Sequence, residues 1–465
     1  VDMNLSAIQI VHLYNRAGFG INIDEFQAVR KKNVEEIVDD IFQKATNYKP
    51  LAISFSSDIP TKKFAEMSAE EKKEIVKLSK EGVKTLNLAW LNEMNNSTAF
   101  LQEKMAFFWH DHFACGDNNP VFMTSYCNVL RENALGNFRN LLFGVSKSAA
   151  MIKYLNNKQN KKDSPNENFA REVMELFTIG KGNYTEKDIK EAARAFTGWS
   201  FEPGNPDFKF RPLLHDFDEK ECLGNNGNFD GDDILNILLE KKETAKFIVS
   251  KIYAYFVNPT LDENRIAELT DSFYNSKYDI GKLMETIFKS AWFYDDKNIA
   301  QLIKSPIELL VSYNRKFAIN YLNENTQLFV QKAMGQILCM PPNVGGWSNG
   351  VQWIDSSAIL FRFNLPQLLM GNLLNNVELK ESGDDNDELK QLKNENLKTE
   401  IDWNIITSKV QFEKPKDIQK ELADFLFSKP PKNLNLEFFI KSTQKADLVK
   451  EIALRLLQLP EYQLN

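Results

Sequence analysis

Histidine and cysteine are scarce in this 465-residue chain, with four of each. Cys115, Cys127, Cys222 and Cys339 show no CxxC spacing, which argues against a zinc-thiolate site. A chain of this size does not need disulfides to hold its core, so the four read as reduced thiols or packing residues. No apolar run is long enough to span a bilayer. The N-terminus also lacks the charged, apolar and small-residue order of a signal peptide. The expected compartment is the cytoplasm or the periplasm. Lys plus Arg number 57 against 64 Asp plus Glu, a formal charge of −7 with no long basic block. A nucleic-acid partner is therefore disfavoured. Also missing are HExxH, a Walker A loop, GxSxG and a pair of ExxH motifs. Those absences remove the usual metalloprotease, nucleotide, esterase and di-iron chemistries.

What is present is enough apolar sequence to build a large core: 43% hydrophobic residues, 34 of the residues being Phe. Period-two alternation is rare and helical spacing is common, so the expected fold is a mainly α, multi-helix globular protein with long Pro-, Gly- and aromatic-rich loops. Ser68 with Glu71 and Thr185 with Asp188 read as helix-start capping boxes. Gly198 reads as a stop after the second of these helices. Further helical stretches are expected near 243–257, 281–293, 304–318 and 327–339. Residues 199–231 and 340–354 read as long loops, the first with room for a short hairpin. Asp230 or Asp232 is expected to cap a helix beginning near Asp233. The run from Asn226 imitates the start of an EF-hand loop, but its twelfth position is Ile237, not the bidentate Glu a calcium site needs. The domain division expected is a main helical domain over 1–370, a polar linker or insertion over 371–400, and a small helical unit over 401–465.

Candidate chemistry gathers at the histidines and at one acidic stripe. On a helix through Leu101–Phe113, His112 shares the stripe of Leu101, Met105, Phe108 and Trp109 and faces the core. His110 lies about 160° away around that helix and is expected to face the surface or a partner. Asn168, Glu172 and Glu175 follow one another at i, i+4 and i+7 beside the apolar face of Phe169, Val173, Leu176 and Phe177. Two carboxylates one turn apart suit a divalent cation or general acid–base work. The plainer alternative is a carboxylate network with Arg171 or Arg194. Glu167 and Arg171 form an ordinary i, i+4 pair.

Several segments, taken in order, resemble one known bacterial family, the domain of unknown function eighteen-hundred. They are His12-Leu13, Arg16-Ala17-Gly18-Phe19-Gly20, Phe108 to Phe113, Asn166 to Glu172, Met174-Glu175-Leu176 and Tyr184-Thr185-Glu186. They continue with Ala195 to Trp199, His215-Asp216-Phe217, Gly227 to Asp233, Lys304-Ser305-Pro306, Pro341 to Trp347 and Leu459 to Leu464. The resemblance implies a mostly helical protein, in some relatives exported, often encoded beside a sulfatase-like family. It carries no catalytic residues over, and marks only where a site is to be sought.

Two functional expectations follow. One is a metal-dependent hydrolase in which His112, Glu172, Glu175 and His215 hold a divalent metal. Glu172, Glu175, His112 and Arg171 then carry the chemistry, Arg171 or Arg194 meets an anionic substrate, and the 340–354 loop covers the pocket. The other is a non-catalytic binding or scaffolding protein whose His, Asn and Glu side chains hold loops in place. In that case His110 and the Trp347/Trp353 loop touch a partner, the sulfatase-like protein.

Overall fold

The structure is a computed structural model describing residues 3–53, 67–371, 399–432, 434–436 and 439–465. Within them the chain is mainly helical. The helices are α1 (Ala7–Ala17), α2 (Ile23–Val29), α3 (Val34–Ala45), α4 (Ala69–Asn96), α5 (Phe100–His112), α6 (Pro120–Asn133) and α7 (Phe138–Lys147). Next come α8 (Ala149–Tyr154), α9 (Asn168–Glu172), α10 (Glu186–Ala195), α11 (Gly231–Glu240), α12 (Lys242–Phe256), α13 (Glu263–Asn275) and α14 (Ile280–Lys289). The series ends with α15 (Pro306–Phe317), α16 (Asn325–Met334), α17 (Ser356–Met370), α18 (Asn404–Thr407), α19 (Pro415–Leu426) and α20 (Lys445–Leu457).

Local sequence explains where many of these begin. Ser6, Asn33, Ser68, Thr185, Asp230 and Ser305 each accept the N–H three residues on. In each case the side chain at that later position answers to the cap's own N–H. These reciprocal bonds satisfy donors that a helix start otherwise leaves exposed. The Ser68 and Thr185 boxes and the Asp230 cap match the sequence expectation. The stretch expected to run to 293 stops at Lys289 and resumes as a 3-10 turn over Ala291–Tyr294.

Strand is confined to small antiparallel pairs among the described residues. The loop after α10 contains two hairpins, not one. β1 (Trp199–Phe201) pairs with β2 (Phe208–Phe210), Ser200 opposite Lys209. β3 (Lys220–Cys222) pairs with β4 (Asn225–Gly227), Glu221 opposite Asn226. β5 (Asn320–Tyr321) meets β6 (Thr399–Glu400).

The centre of the molecule is α5. Every residue from Phe100 to His110 is buried, and α1, α3, α4 and α6 pack around it. A helix without a polar face belongs inside. This corrects the expected exposure of His110: it is fully buried, because Phe107, Phe108 and Trp109 leave no side of the helix for water. The C-terminal helices share this core. Phe425 of α19 meets Phe26 with ring centres 5.6 Å apart, and α20 lies against α17 and α19. Residues 401–465 are thus continuous with the apolar cluster of 1–370. The polar linker expected over 371–400 falls almost wholly outside the described residues.

Candidate functional site

The histidines are the natural place to start, and each is engaged with the main chain of a separate loop or helical turn. His12 Nε2 donates to the Phe293 carbonyl at 3.2 Å. His110 Nε2 accepts the Cys339 N–H at 3.1 Å, which puts its proton on Nδ1. His112 Nε2 donates to the Phe177 carbonyl at 3.2 Å. His215 Nδ1 donates to the Thr197 carbonyl at 2.9 Å, its ring packed edge-on to Phe210 and Phe217. Burial pulls His110 and His112 down to about 3, so both imidazoles are neutral at physiological pH.

The acidic stripe sits on a distorted helix. After Glu172 the α-helix opens into a π turn over Val173–Phe177. The extra residue in that turn breaks the i, i+4, i+7 register that the spacing suggests. Asn168 turns away to the Leu155 carbonyl, 3.1 Å from its Nδ2. Glu172 is half-buried, and burial together with the neighbouring Glu175 charge raises its carboxyl above the ordinary value, against the pull of Arg171. Glu175 accepts a short hydrogen bond from the Tyr184 hydroxyl. Arg171 is spent on Glu186, at 2.9 and 2.8 Å, and on Glu167 at 3.3 Å. Arg194 is spent on Asp216 at 2.7 Å and on Glu191 at 3.0 Å. Neither guanidinium is free to meet an anionic substrate beside Glu172.

The expected quartet of His112, Glu172, Glu175 and His215 is therefore not assembled. Among the described residues no three His, Cys, Asp or Glu side chains group so as to hold a metal ion. The physical reason is that His112, His215 and Glu175 are each held elsewhere, on the Phe177 carbonyl, the Thr197 carbonyl and the Tyr184 hydroxyl.

In the 340–354 loop the two Trp expected to touch a partner are turned inward, whereas Met340 and Val351 stand exposed. Trp347 is only 6% exposed and Trp353 7%. The Trp347 N–H donates to Asp111 Oδ1 at 2.8 Å, and its ring lies 5.1 Å from that of His110. Gly346 has φ +83°, and a β-carbon there would stand 2.3 Å from Asp111 Oδ1. The Phe108–Phe113 and Pro341–Trp347 motifs are thus two halves of one buried clasp. Burial pushes Asp111 up to about 6, partly offset by the Trp347 N–H and by Lys251. Gly346→Ala is expected to lower stability by about 1–3 kcal/mol in urea unfolding, because both the backbone conformation and the contact forbid a methyl group.

A different cluster escapes a reading of single residues. Arg16 of α1, Lys104 of α5, Lys304, Lys316 of α15 and Arg362 of α17 are all buried, and Glu308 of α15 is the carboxylate among them. Glu308 accepts from Lys104, from the Ser305 N–H at 2.7 Å and from the Tyr255 hydroxyl at 3.2 Å. Two sequence signals point toward it: Arg16 lies in the otherwise apolar turn of α1, and Ser305-Pro306-Ile307-Glu308 spells a capping box with Pro at the first helical position. Arg16 and Lys304 belong to segments that carry the family resemblance.

A family model described as "Protein of unknown function (DUF1800)" matches residues 12–464, nearly the whole chain, and the chain belongs to that family. No curated protein and no solved structure matches it.

Proposed function

Starting from that membership, we propose that the chain is a non-catalytic helical binding protein that works with a sulfatase-like partner. The observation that carries this reading is the use made of the histidines. Each of the four bonds a main-chain group of another segment, a helical turn for His12 and His112 and a loop for His110 and His215, and none converges with a carboxylate pair. Such bonds tie one nitrogen of each imidazole to the main chain and fix the shape of the segments they reach.

The face best suited to a partner is the segment joining β2 to β3. Leu213 is 86% exposed, Phe217 57% and Phe210 37%, whereas His215 between them is buried. Apolar side chains held out on the connection between two hairpins form a typical contact surface. Lys209 and Arg211, both paired with Glu202, supply a charged rim. Coexpression with a sulfatase-like protein of the family often encoded beside such chains, followed by affinity capture, tests the reading. The complex is expected to be retained by the native chain and weakened at least about tenfold by Leu213→Glu with Phe217→Glu. Capture that is absent, or indifferent to both changes, sinks it.

A second reading rests on Glu172. A half-buried carboxyl with a raised pKa beside a second carboxylate on a π turn is a plausible proton donor or acceptor for hydrolysis. Hydrolysis of aryl phosphate, sulfate or acetate esters that Glu172→Gln abolishes, with the fold intact, is the outcome that favours this reading over the first.

A further inference from the structure

The buried cations carry a conclusion that does not depend on the function proposed above. Arg16, Lys104, Lys304 and Arg362 share the pull of one carboxylate among the described residues, Glu308, and Lys316 joins them through its repulsion of Lys304 while Arg315 repels it from the other side. Two are well provided for. Lys104 binds Glu308 and lies over the Phe19 and Tyr255 rings. Lys304 donates to the Tyr462 and Leu464 carbonyls at 2.5 and 2.6 Å and lies over the Tyr462 ring.

The other three are not. Arg16 uses Nη2 on the main-chain oxygens of Asn298 and Asn465, at 3.2 and 3.0 Å, but its Nε and Nη1 have no acceptor. Arg362 uses Nε on Gln463 and Nη2 on the Lys304 carbonyl, at 2.9 and 2.6 Å, and its Nη1 has none. Lys316 Nζ has no acceptor at all, and its nearest aromatic face, Tyr462, is 5.7 Å away.

Buried unmatched charge is costly, and a protein ordinarily removes it by neutralising the group or pairing it. Burial brings Lys316 down to about 7, so that amine can shed its proton. Guanidinium groups do not have this escape. Arg16 falls only to about 9 and Arg362 to about 10, so both remain charged at neutral pH. What is missing is an acceptor carrying negative charge. Guanidinium forks match the paired oxygens of phosphate, sulfate and carboxylate, and donors arriving from three separate helices suit a tetrahedral group better than a planar one.

We infer that Arg16, Lys316 and Arg362 form an interior binding site for a tetrahedral oxyanion, phosphate or sulfate, held either as the free ion or as a monoester. The site lies where α1, α15, α17 and the segment 459–465 meet, so its occupant ties the first part of the chain to the last.

The test uses the full chain, exhaustively dialysed against chloride buffer, then precipitated with acid. Ion chromatography and mass spectrometry of the supernatant are expected to find close to one equivalent of phosphate, sulfate or an ester of either. Inorganic anion alone identifies the free ion as occupant, and an organic ester identifies a monoester. In parallel, calorimetry in inorganic phosphate, inorganic sulfate and chloride at equal ionic strength is done on native protein and on protein refolded in each salt. A rise of roughly 2–4 °C in Tm is expected with an oxyanion. Lys316→Met and Arg362→Met lose both the released anion and the shift. The inference is overturned if the wild-type chain releases no anion and gains no Tm in either preparation. A Lys316→Met variant more stable than wild type under those conditions adds that the cluster is only an electrostatic burden. Wild-type measurements decide the matter even if a variant fails to fold.

Discussion

Replacing Glu308 with Gln is expected to lower the stability of the fold by about 3–5 kcal/mol at neutral pH, the scale seen when one partner of a buried ion pair is removed. Glu308 is placed to matter twice. It closes the capping box at the start of α15, and it is the carboxylate whose charge reaches four interior cations, Arg16, Lys104, Lys304 and Arg362. Glutamine keeps the shape and an acceptor for the Ser305 N–H, so the loss isolates the charge. The pH dependence gives a second check. Burial pushes the Glu308 carboxyl up, but Lys104 and the Ser305 bonds outweigh it and hold the group below the ordinary carboxylate value. A depressed folded pKa contributes stability that is full above the unfolded pKa, about 4.3 for Glu, and disappears as pH falls through the folded value. Urea unfolding from pH 7 down to pH 3 is therefore expected to show a loss in the wild-type chain that Glu308→Gln lacks. Adding Lys104→Met to Glu308→Gln is expected to recover part of the neutral-pH deficit, since it removes the charge left unmatched. A Glu308→Gln protein within about 1 kcal/mol of wild type, outside the range expected for a buried pair, speaks against the account.

An effect of similar size is expected at a second interior pair. Arg131 and Glu103 are both fully buried and joined at two points, Nε to Oε2 at 2.8 Å and Nη2 to Oε1 at 2.6 Å. Glu103 also accepts the Trp90 indole N–H at 2.9 Å, so it binds α4, α5 and α6 into one unit. Glu103→Ala leaves the indole donor unpaired and the guanidinium with only long contacts, to Asn128 at 3.5 Å and Glu93 at 3.9 Å. The expected cost is about 3–5 kcal/mol, read as a lower Tm and urea midpoint. Glu103→Leu with Arg131→Met is expected to be markedly less damaging than either single change, because no buried charge is then stranded. If the double variant is as unstable as the sum of the singles, packing and not charge pairing is the dominant contribution.

Much of the fold can be read in the sequence because helix starts are local. Ser68 with Glu71, Thr185 with Asp188 and Asp230 with Asp233 each announce a first turn by side chains three residues apart. The order of motifs likewise leads to the family. The site is harder for reasons that are equally physical. Helical spacing assigns an inner and an outer face, but α5 is buried on every side, so the direction computed for His110 had no outside to point to. The spacing of Glu172 and Glu175 assumes a regular helix, and the π turn at Val173 slips that register. Arg16, Lys104, Lys304, Lys316 and Arg362 look like ordinary charged residues one at a time. Their meeting is a property of five packed segments, and no window along the chain contains it.

The way the last residues reach the first helix bears on how the molecule is made. Arg16 takes an acceptor from Asn465, Lys304 takes two from Tyr462 and Leu464, and Arg362 takes one from Gln463. A nascent chain stopped before residue 459 has already synthesised these cations but not the carbonyl and amide oxygens that hold them. Its interior therefore stays hydrated, and the first helix waits for contacts formed more than 400 positions later. Contacts so distant in sequence slow folding and keep apolar surface open meanwhile. Residues 459–465 thus close the interior around side chains from three distant segments, and deleting them is expected to leave that interior open to proteolysis.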